Sequence, residues 1–366
     1  MSGFLTTGGT GLRLLFALAV LAAAWLPGNL APGAQWALTA ALALGFAADS
    51  LRAGLRIAVL VGLALLLALA ASALMAGQGG GSGFWAAVVA VWLGAWMLVA
   101  FVADLPRRTG LAGNLQGLVA PLIFGATILW AWEVLVAALN VPRVILPAPS
   151  AIGARLVGAT DTLWIDLAQT FGRGALSGFA IGCGAAFLFA LVVDRYRFLR
   201  RGLLPVGNFL AALPIIGTAP IFVMWFGFDW PSKAAVVVAM VFFPMLVNTV
   251  QGLAATDSMQ RDLMHTWSAS WAQTLIRLRL PAAMPFVFNG LKICATLALI
   301  GAIVAEFFGS PTYGMGFRIS TEVGRLQLDM VWAEIAVAAA LGSAFYGVWA
   351  LLERRVTFWH PSQRSR

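Results

Sequence analysis

Long apolar runs, separated by short polar or glycine-rich breaks, repeat along most of the chain. They approach the roughly 20 residues that a helix needs to cross a bilayer, and they lack the alternation typical of a transmembrane β-strand. Because backbone groups within lipid must hydrogen bond inside their own segment, unbroken apolar runs favour helices. The pattern predicts ten membrane-spanning helices. They cover residues 12–31, 34–50, 56–76, 84–104, 117–139, 167–193, 203–227, 233–254, 286–308 and 331–352.

One polar break divides these runs unequally. Residues 105–116 contain proline, glycine and paired arginines, which predicts a boundary between an extension of about four helices, residues 1–110, and a part with six helices, residues 111–366. The glycine-rich stretch 77–83 is predicted to be a flexible turn between spans and not a phosphate-binding loop, since it lacks the Gly-Lys-Ser/Thr sequence of a P-loop. We therefore expect no nucleotide hydrolysis by this chain, no catalytic residues and no cofactor.

A second break, residues 255–285, is too polar and too basic to cross a bilayer and is nevertheless patterned. Its large apolar residues recur at helical spacing. They are Trp267, Trp271, Leu275 and Leu278. We expect a short helix here, which Asp262 helps to cap and Pro281 ends. A compact helix between two membrane spans suggests a docking surface.

Composition supports a membrane protein. Of 366 residues, 61% are hydrophobic and only 10% are charged, so lipid must cover much of the apolar surface. The chain is predicted to be an all-α polytopic membrane protein. Its two cysteines, Cys183 and Cys294, are expected to be small buried residues, and with two histidines no metal site is expected.

The charges predict an orientation. With ten spans and both termini in the cytoplasm, 17 of the 23 Lys and Arg residues fall inside and six outside, as the positive-inside rule requires. This distribution explains the net charge of +9 better than nucleic acid does, so no nucleic-acid partner is expected. The same count puts the loop 255–285 in the cytoplasm.

Three stretches beyond the predicted boundary resemble the sulfonate, taurine and nitrate permease group of bacterial ABC importers. They are Val144–Ile152, Pro214–Lys233 and Ala305–Phe317. The loop 255–285 also has the spacing of that family's cytoplasmic EAA loop, with Leu280 and Pro281 at its Leu-Pro. It departs from the family pattern where Asp262, Leu263 and Met264 replace Glu-Ala-Ala and where Ser268 replaces a glycine.

The resemblance covers roughly residues 117–360 and implies a type I ABC importer fold in the bacterial inner membrane. It implies a homodimer with two cytoplasmic ATP-binding subunits and a periplasmic substrate-binding protein. The imported solute would be a small organic anion or an N-heterocycle such as a pyrimidine or flavin precursor. Transport would proceed by alternating access.

The resemblance also gives the central loop a role in docking. Ser268, Ala269 and Ser270 form a patch of small residues between Trp267 and Trp271. We expect this patch to enter a groove of the ATP-binding subunit, while the tryptophans pack back against the membrane helices. The alternative is a solvated turn.

Prolines and acids inside the predicted spans suggest the translocation path. Pro214 and Pro220 fall in the span 203–227, where a broken helix along the path and a simple packing kink explain them equally well. Glu133 and Glu306 are ionisable residues inside spans, so they are expected to face the bundle interior or a wet cavity. For Glu306, near the end of its span, an interfacial position is the alternative.

Glycines recur every four residues within the sixth predicted span. They are Gly174, Gly178 and Gly182. Small residues on one helix face let neighbouring backbones approach closely within lipid. We expect these glycines to serve helix packing.

Two other classes of protein remain possible on sequence grounds. An ion-coupled secondary transporter could use the two carboxylates for protons, but it should also have broken helices in matching halves. A membrane enzyme should have clustered catalytic groups at one bilayer face. The sequence offers one such broken segment, near Pro214, without a matching one in the other half, and no such cluster.

Overall fold

The computed structural model describes residues 14–23, 32–47, 63–64, 66–71, 74, 81–105, 111–196, 198–199, 202, 215–309 and 313–360. Within these ranges the regular secondary structure is helical. The helices are α1 (Leu14–Ala23), α2 (Pro32–Ala47), α3 (Ser82–Ala103), α4 (Leu111–Ala138), α5 (Pro149–Gly158), α6 (Thr160–Arg195), α7 (Ile215–Phe226), α8 (Trp230–Ala254), α9 (Ser258–Thr266), α10 (Trp271–Gly309), α11 (Met315–Gly324) and α12 (Leu328–Val356).

Six of the described helices are long and apolar enough to span a membrane: α3, α4 from Gln116, α6, α8, α10 and α12. They correspond to six of the ten predicted spans and confirm an all-α membrane fold. Helices α1, α2 and α7 are apolar but shorter in their described parts. The predicted spans 56–76 and 203–227 lie partly outside the described residues.

The chain divides into two units, Met1–Ile152 and Gly153–Arg366. In the first unit, buried residues of the N-terminal helices and α3 form one apolar cluster, which also includes Val134 of α4. The indole of Trp130 donates a hydrogen bond to the carbonyl of Ala71 at 3.2 Å. Helix α4 therefore packs with the N-terminal helices, although the composition break precedes it. The assignment of residues 1–110 as an extension stays a prediction.

The second unit is built around α6, α8 and α10. The three helices share a core that includes Phe179, Val237 and Ala298. A Cβ atom added to Gly178 would lie 2.5 Å from the Cβ of Val237, and one at Gly182 would collide with Val241. Close backbone contact between α6 and α8 thus depends on these two glycines, which confirms the predicted packing role for them. A Cβ atom at Gly174 would meet its nearest neighbour, the Cβ of Ala302, at 3.4 Å, so that position has room for a side chain. Such contacts are the usual source of helix association in lipid.

A capping side chain and a proline fix where α8 begins. The carboxylate of Asp229 accepts the amide of Trp230 at 2.8 Å, and Pro231 occupies the first helical turn. Proline is favoured there because its missing N–H has no helical partner in any case. The helix then runs through Pro244 to Ala254.

Candidate coupling loop and buried polar network

The loop between α8 and α10 contains the separate, exposed helix α9. Asp257 caps this helix, and the side chain of Gln260 reaches back to the amide of Asp257, which forms a capping box. Asp262, the predicted cap, lies inside the helix and is exposed, so that prediction is wrong. No residue of α9 is buried. Its capping bonds, rather than a core, hold its ends.

The prediction of one helix through Trp267, Trp271 and Leu278 is wrong, because one helix ends before Trp267 and the next begins at Trp271. Ser268 has φ 52°, a left-handed conformation that ends the first helix. Ser270 then caps a new helix by accepting the amide of Gln273 at 3.3 Å. The small residues Ser268, Ala269 and Ser270 therefore form the turn between α9 and α10.

Pro281 does not end the helix as predicted. Helix α10 begins at Trp271, passes through a π-helical turn at Leu275–Arg279 and continues to Gly309, so that Leu280 and Pro281 lie within it. A widened turn is a common irregularity within α-helices, often at functional sites. It precedes the proline, whose missing amide removes one bond of the regular ladder.

Exposed apolar side chains form a stripe along α9. Met259 is 76% exposed, Leu263 54% and Trp267 73%, and they follow one another at intervals of four residues, which places them on one side. Trp267 was expected to pack against the membrane helices, and its exposure shows that this prediction is wrong. We call Met259, Leu263 and Trp267 the apolar stripe.

Arg279, near the start of α10, forms hydrogen bonds with α6 and α8. Its guanidinium donates two hydrogen bonds to the carboxylate of Asp194 in α6, at 2.6 and 2.7 Å. It also donates to the carbonyl of Leu253 in the last turn of α8, at 2.8 and 3.0 Å. The side chain of Asp194 is only 1% exposed. The guanidinium of Arg195 lies 4.8 Å from the ring centre of Trp271, within cation–π distance.

A buried polar network lies at the other end of α10. The Thr170 hydroxyl donates to the carboxylate of Glu306 at 2.8 Å, and its oxygen accepts the amide of Met315 at 2.8 Å. Glu306 also accepts the amide of Gly316 at 2.9 Å and is 1% exposed. Glu306 therefore faces the interior, as one sequence alternative predicted, and it holds the segment that leads into α11.

Asp166 extends this network from the first turns of α6. Its carboxylate accepts the amide of Gly314 at 2.7 Å and the Nε–H of Arg318 at 2.8 Å. Gly314 has φ 127°, and a Cβ atom there would lie 2.5 Å from the Glu306 carboxylate carbon. Only glycine fits this backbone position beside the acid.

Charge is concentrated around Arg318. Burial alone would lower the pKa of its guanidinium, but the hydrogen bond and charge of Asp166, with Glu322 and Glu334 nearby, raise it. Glu334 of α12 is fully buried, and no described donor reaches either of its carboxylate oxygens. The network thus gathers several acids around one arginine.

The sequence matches the family model of the binding-protein-dependent transport system inner membrane component over residues 178–358. A probable ABC transporter permease of Haemophilus influenzae is 30% identical over 232 residues, 63% of this chain and 93% of the relative. The chain belongs to this permease family.

Two further relatives of this permease carry substrate names. A formylaminopyrimidine transport permease of Halalkalibacterium halodurans is 29% identical over 247 residues, 66% of this chain and 96% of the relative. A taurine transport system permease of Escherichia coli is 28% identical over 246 residues, 64% of this chain and 87% of the relative.

The permease uses Glu133 to hold the start of a short helix. The Glu133 carboxylate accepts the amide of Ser150 at 2.8 Å and its hydroxyl at 2.6 Å, in the first turn of α5. A carboxylate is stabilised at a helix N-terminus, where free N–H groups and the helix dipole favour negative charge. Glu133 and Glu306 belong to different units, and the structure gives each of them a local partner.

The proline-rich part of the permease is only partly described. Pro214 lies outside the described residues, whereas Pro220 is half-buried inside α7. Ala219 of this helix packs in a small cluster with Val236 and Ala305. Helix α7 thus lies against α8 and α10, the central helices of its unit.

A shallow, widely open cavity of about 450 Å³ lies beside α6 and is lined by Arg173, Ser177, Asp229 and Trp230. Next to it, Lys233 is buried and donates to the carbonyl of Phe228 at 3.1 Å, not to an acid. In the described part of the permease, no group of His, Cys, Asp and Glu could hold a metal ion. Both cysteines are buried and free.

Sequence reasoning missed Asp166, Asp194 and Glu334. Glu334 lies inside a predicted span, where a charged group in lipid costs free energy, so its position alone could have marked it as a candidate site residue. Asp166 and Asp194 lie one residue outside the predicted span 167–193. They were missed because the helix is longer than predicted at both ends. Their partners Arg318 and Arg279 are 152 and 85 residues away in sequence.

Proposed function

We propose that this permease is the membrane subunit of an ATP-driven importer that receives a small organic solute from a periplasmic binding protein. Membership of the family supports the proposal, because its name describes binding-protein-dependent transport. The named relatives handle formylaminopyrimidine and taurine, a heterocycle and a small sulfonate. The solute class proposed for this chain is therefore a small organic anion or N-heterocycle.

The proposed assembly contains two copies of the permease and two cytoplasmic ATP-binding subunits. The loop 255–285 and both termini would face the cytoplasm, as the distribution of basic residues predicts. Bound substrate would follow a central path, for which Pro214, Pro220 and the buried Glu306 are the candidate residues. Glu133, which caps α5, would act on the path only through the position of that helix.

The apolar stripe on α9 carries the docking part of the proposal. Three large apolar side chains, two on the short helix α9 and one directly after it, remain exposed, and such surfaces mark contact sites. An amphipathic helix that lies in an apolar groove is a recurrent mode of recognition. The turn of Ser268, Ala269 and Ser270 follows the stripe directly and would enter the same groove.

A matched pair of substitutions tests docking. Leu263→Glu puts a charge into the apolar stripe, whereas His265→Glu puts the same charge on another exposed face of α9. We expect Leu263→Glu to reduce co-purification of the co-expressed ATP-binding subunit at least tenfold, because a desolvated, unpaired charge in an apolar interface is costly. His265→Glu should change it less than twofold.

Insertion into the membrane and the amount of purified permease should be the same for both variants, since neither substitution lies in a membrane-spanning helix. Equal recovery of the ATP-binding subunit with Leu263→Glu and with the unmodified chain would exclude α9 as the docking element.

A further inference from the structure

We propose that the Asp194–Arg279 ion pair transmits movement of the docked loop to α6, and that losing it uncouples ATP binding from the membrane helices without releasing the ATP-binding subunit. This inference rests on the proposed function, because it requires that the loop docks. It assigns a role to two residues that lie away from the apolar stripe.

The geometry of the pair is that of a rigid joint. Arg279 donates through both terminal nitrogens to the two oxygens of Asp194. A two-pronged contact of this kind fixes the orientation as well as the distance between its partners. Arg279 is 14% exposed and Asp194 is 1% exposed, so solvent does not loosen the contact.

A pair so deeply buried is poorly explained by stability alone. The cost of removing two charges from water offsets most of their attraction, and apolar residues of similar size often serve stability as well or better. What the ion pair adds is a defined geometry. That is what a mechanical link between two helices requires.

Further contacts tie the same three helix ends together. Arg279 also holds the carbonyl of Leu253 at the end of α8. Leu275, in the π-helical turn, is buried against Leu253 and Ala283. The first residues of α10, which follow the docking turn, are thus fixed to the ends of α6 and α8.

Helix α6 carries this connection to the buried polar network. Asp194 lies at one end of the helix, and Asp166 and Thr170 lie near the other. Asp166 and Thr170 hold the segment Gly314–Met315. The cavity lined by Arg173 and Ser177 lies along the same helix. Helix α6 widens into a π-helical segment at Ala168–Ala175 but does not end there, so a displacement at Asp194 would reach both the cavity and the network along it.

The experiment uses the complex of the full-length permease with its co-expressed ATP-binding subunit. Ser177→Cys places a single accessible thiol in the cavity, because Cys183 and Cys294 are buried. The rate of maleimide labelling is measured with and without ATP and vanadate. In the otherwise unmodified complex we expect ATP to change this rate several-fold.

Asp194→Asn and Arg279→Lys should abolish at least four-fifths of that change while the ATP-binding subunit still co-purifies and hydrolyses ATP. The control is a second partly buried ion pair of α10, Lys292–Glu353 at 2.7 Å. Lys292→Gln should leave the response within twofold of the original. The reversed pair, Asp194→Arg with Arg279→Asp, should recover at least half of it.

A full ATP response in Asp194→Asn would overturn the inference, and so would loss of the ATP-binding subunit from that variant. If Asp194→Asn does not insert into the membrane, Arg279→Lys provides the test, because lysine keeps the positive charge and loses only the paired hydrogen bonds to Asp194. Failure of the unmodified chain to bind the ATP-binding subunit would instead contradict the proposed function.

Discussion

The Thr170 hydroxyl donates a hydrogen bond to the Glu306 carboxylate and accepts one from the amide of Met315, both at 2.8 Å. One side chain of α6 thereby joins α10 to the start of α11. All the groups involved are buried, and buried polar groups in such networks depend on one another for their hydrogen bonds. The stability of this end of the bundle should therefore depend strongly on the Glu306 carboxylate.

Glu306→Ala should lower the free energy of unfolding by about 2–4 kcal/mol, because it leaves the Thr170 hydroxyl and the Gly316 amide without an acceptor. Glu306→Gln retains one acceptor oxygen and should cost less than half as much. Thermal unfolding of the detergent-solubilised protein, followed by size-exclusion chromatography, measures both. An alanine variant as stable as the glutamine variant would mean that the network does not hold this segment.

Two glycines of α6 provide a matched test of packing. Gly178→Ala would bring a methyl group against Val237, whereas a Cβ atom at Gly184 meets nothing within 4 Å. We expect Gly178→Ala to destabilise the protein by roughly 1–3 kcal/mol through overpacking. Gly184→Ala should be neutral or stabilise by up to about 1 kcal/mol, because alanine is the better helix former. Equal melting temperatures for the two variants would contradict close contact between α6 and α8.

Topology can be tested with single cysteines, since both native cysteines are buried. Ser258→Cys in α9 should react with a membrane-impermeant maleimide only after the cells are permeabilised. Ser320→Cys in α11, also exposed, should react in intact cells, because the distribution of basic residues puts it outside. Labelling of Ser258→Cys from outside would reverse the proposed orientation.

We propose a peripheral role for residues 1–110, and a chain that begins at Leu111 tests it. Helix α4 would lose the Ala71 carbonyl that accepts from Trp130, and Val134 would lose its apolar neighbours. The shortened protein should therefore be less stable, yet it should still bind the ATP-binding subunit through α9. A well-inserted shortened chain without bound ATP-binding subunit would show that the extension takes part in docking.

The membrane-spanning helices were predictable because each is a continuous apolar run. The free energy of exposing such a run to water depends on its own residues and not on partners far away in the sequence. The packing of Gly178 and Gly182 was predictable for a similar reason, since the four-residue interval is visible within one helix. These features are encoded locally, and the structure confirms them.

The coupling loop shows where local patterns fail. Trp267 and Trp271 have helical spacing, but Ser268 adopts a left-handed conformation that its residue type does not indicate. Likewise, Pro281 follows a π-helical turn that no residue pattern announces. Pairs such as Asp194 and Arg279 depend on tertiary contact between helices far apart in sequence, so one sequence does not reveal them.

Helix α10 reaches from the docking turn to the network around Glu306 as one helix, although a π-helical turn and the prolines Pro281 and Pro285 interrupt its regular hydrogen bonding. Its last 30 residues alone span roughly 45 Å at about 1.5 Å per residue. At that radius a tilt of about 5° carries the far end through about 4 Å. A small tilt of α10 at the docking turn would therefore displace the residues around Glu306 far more than those beside the turn.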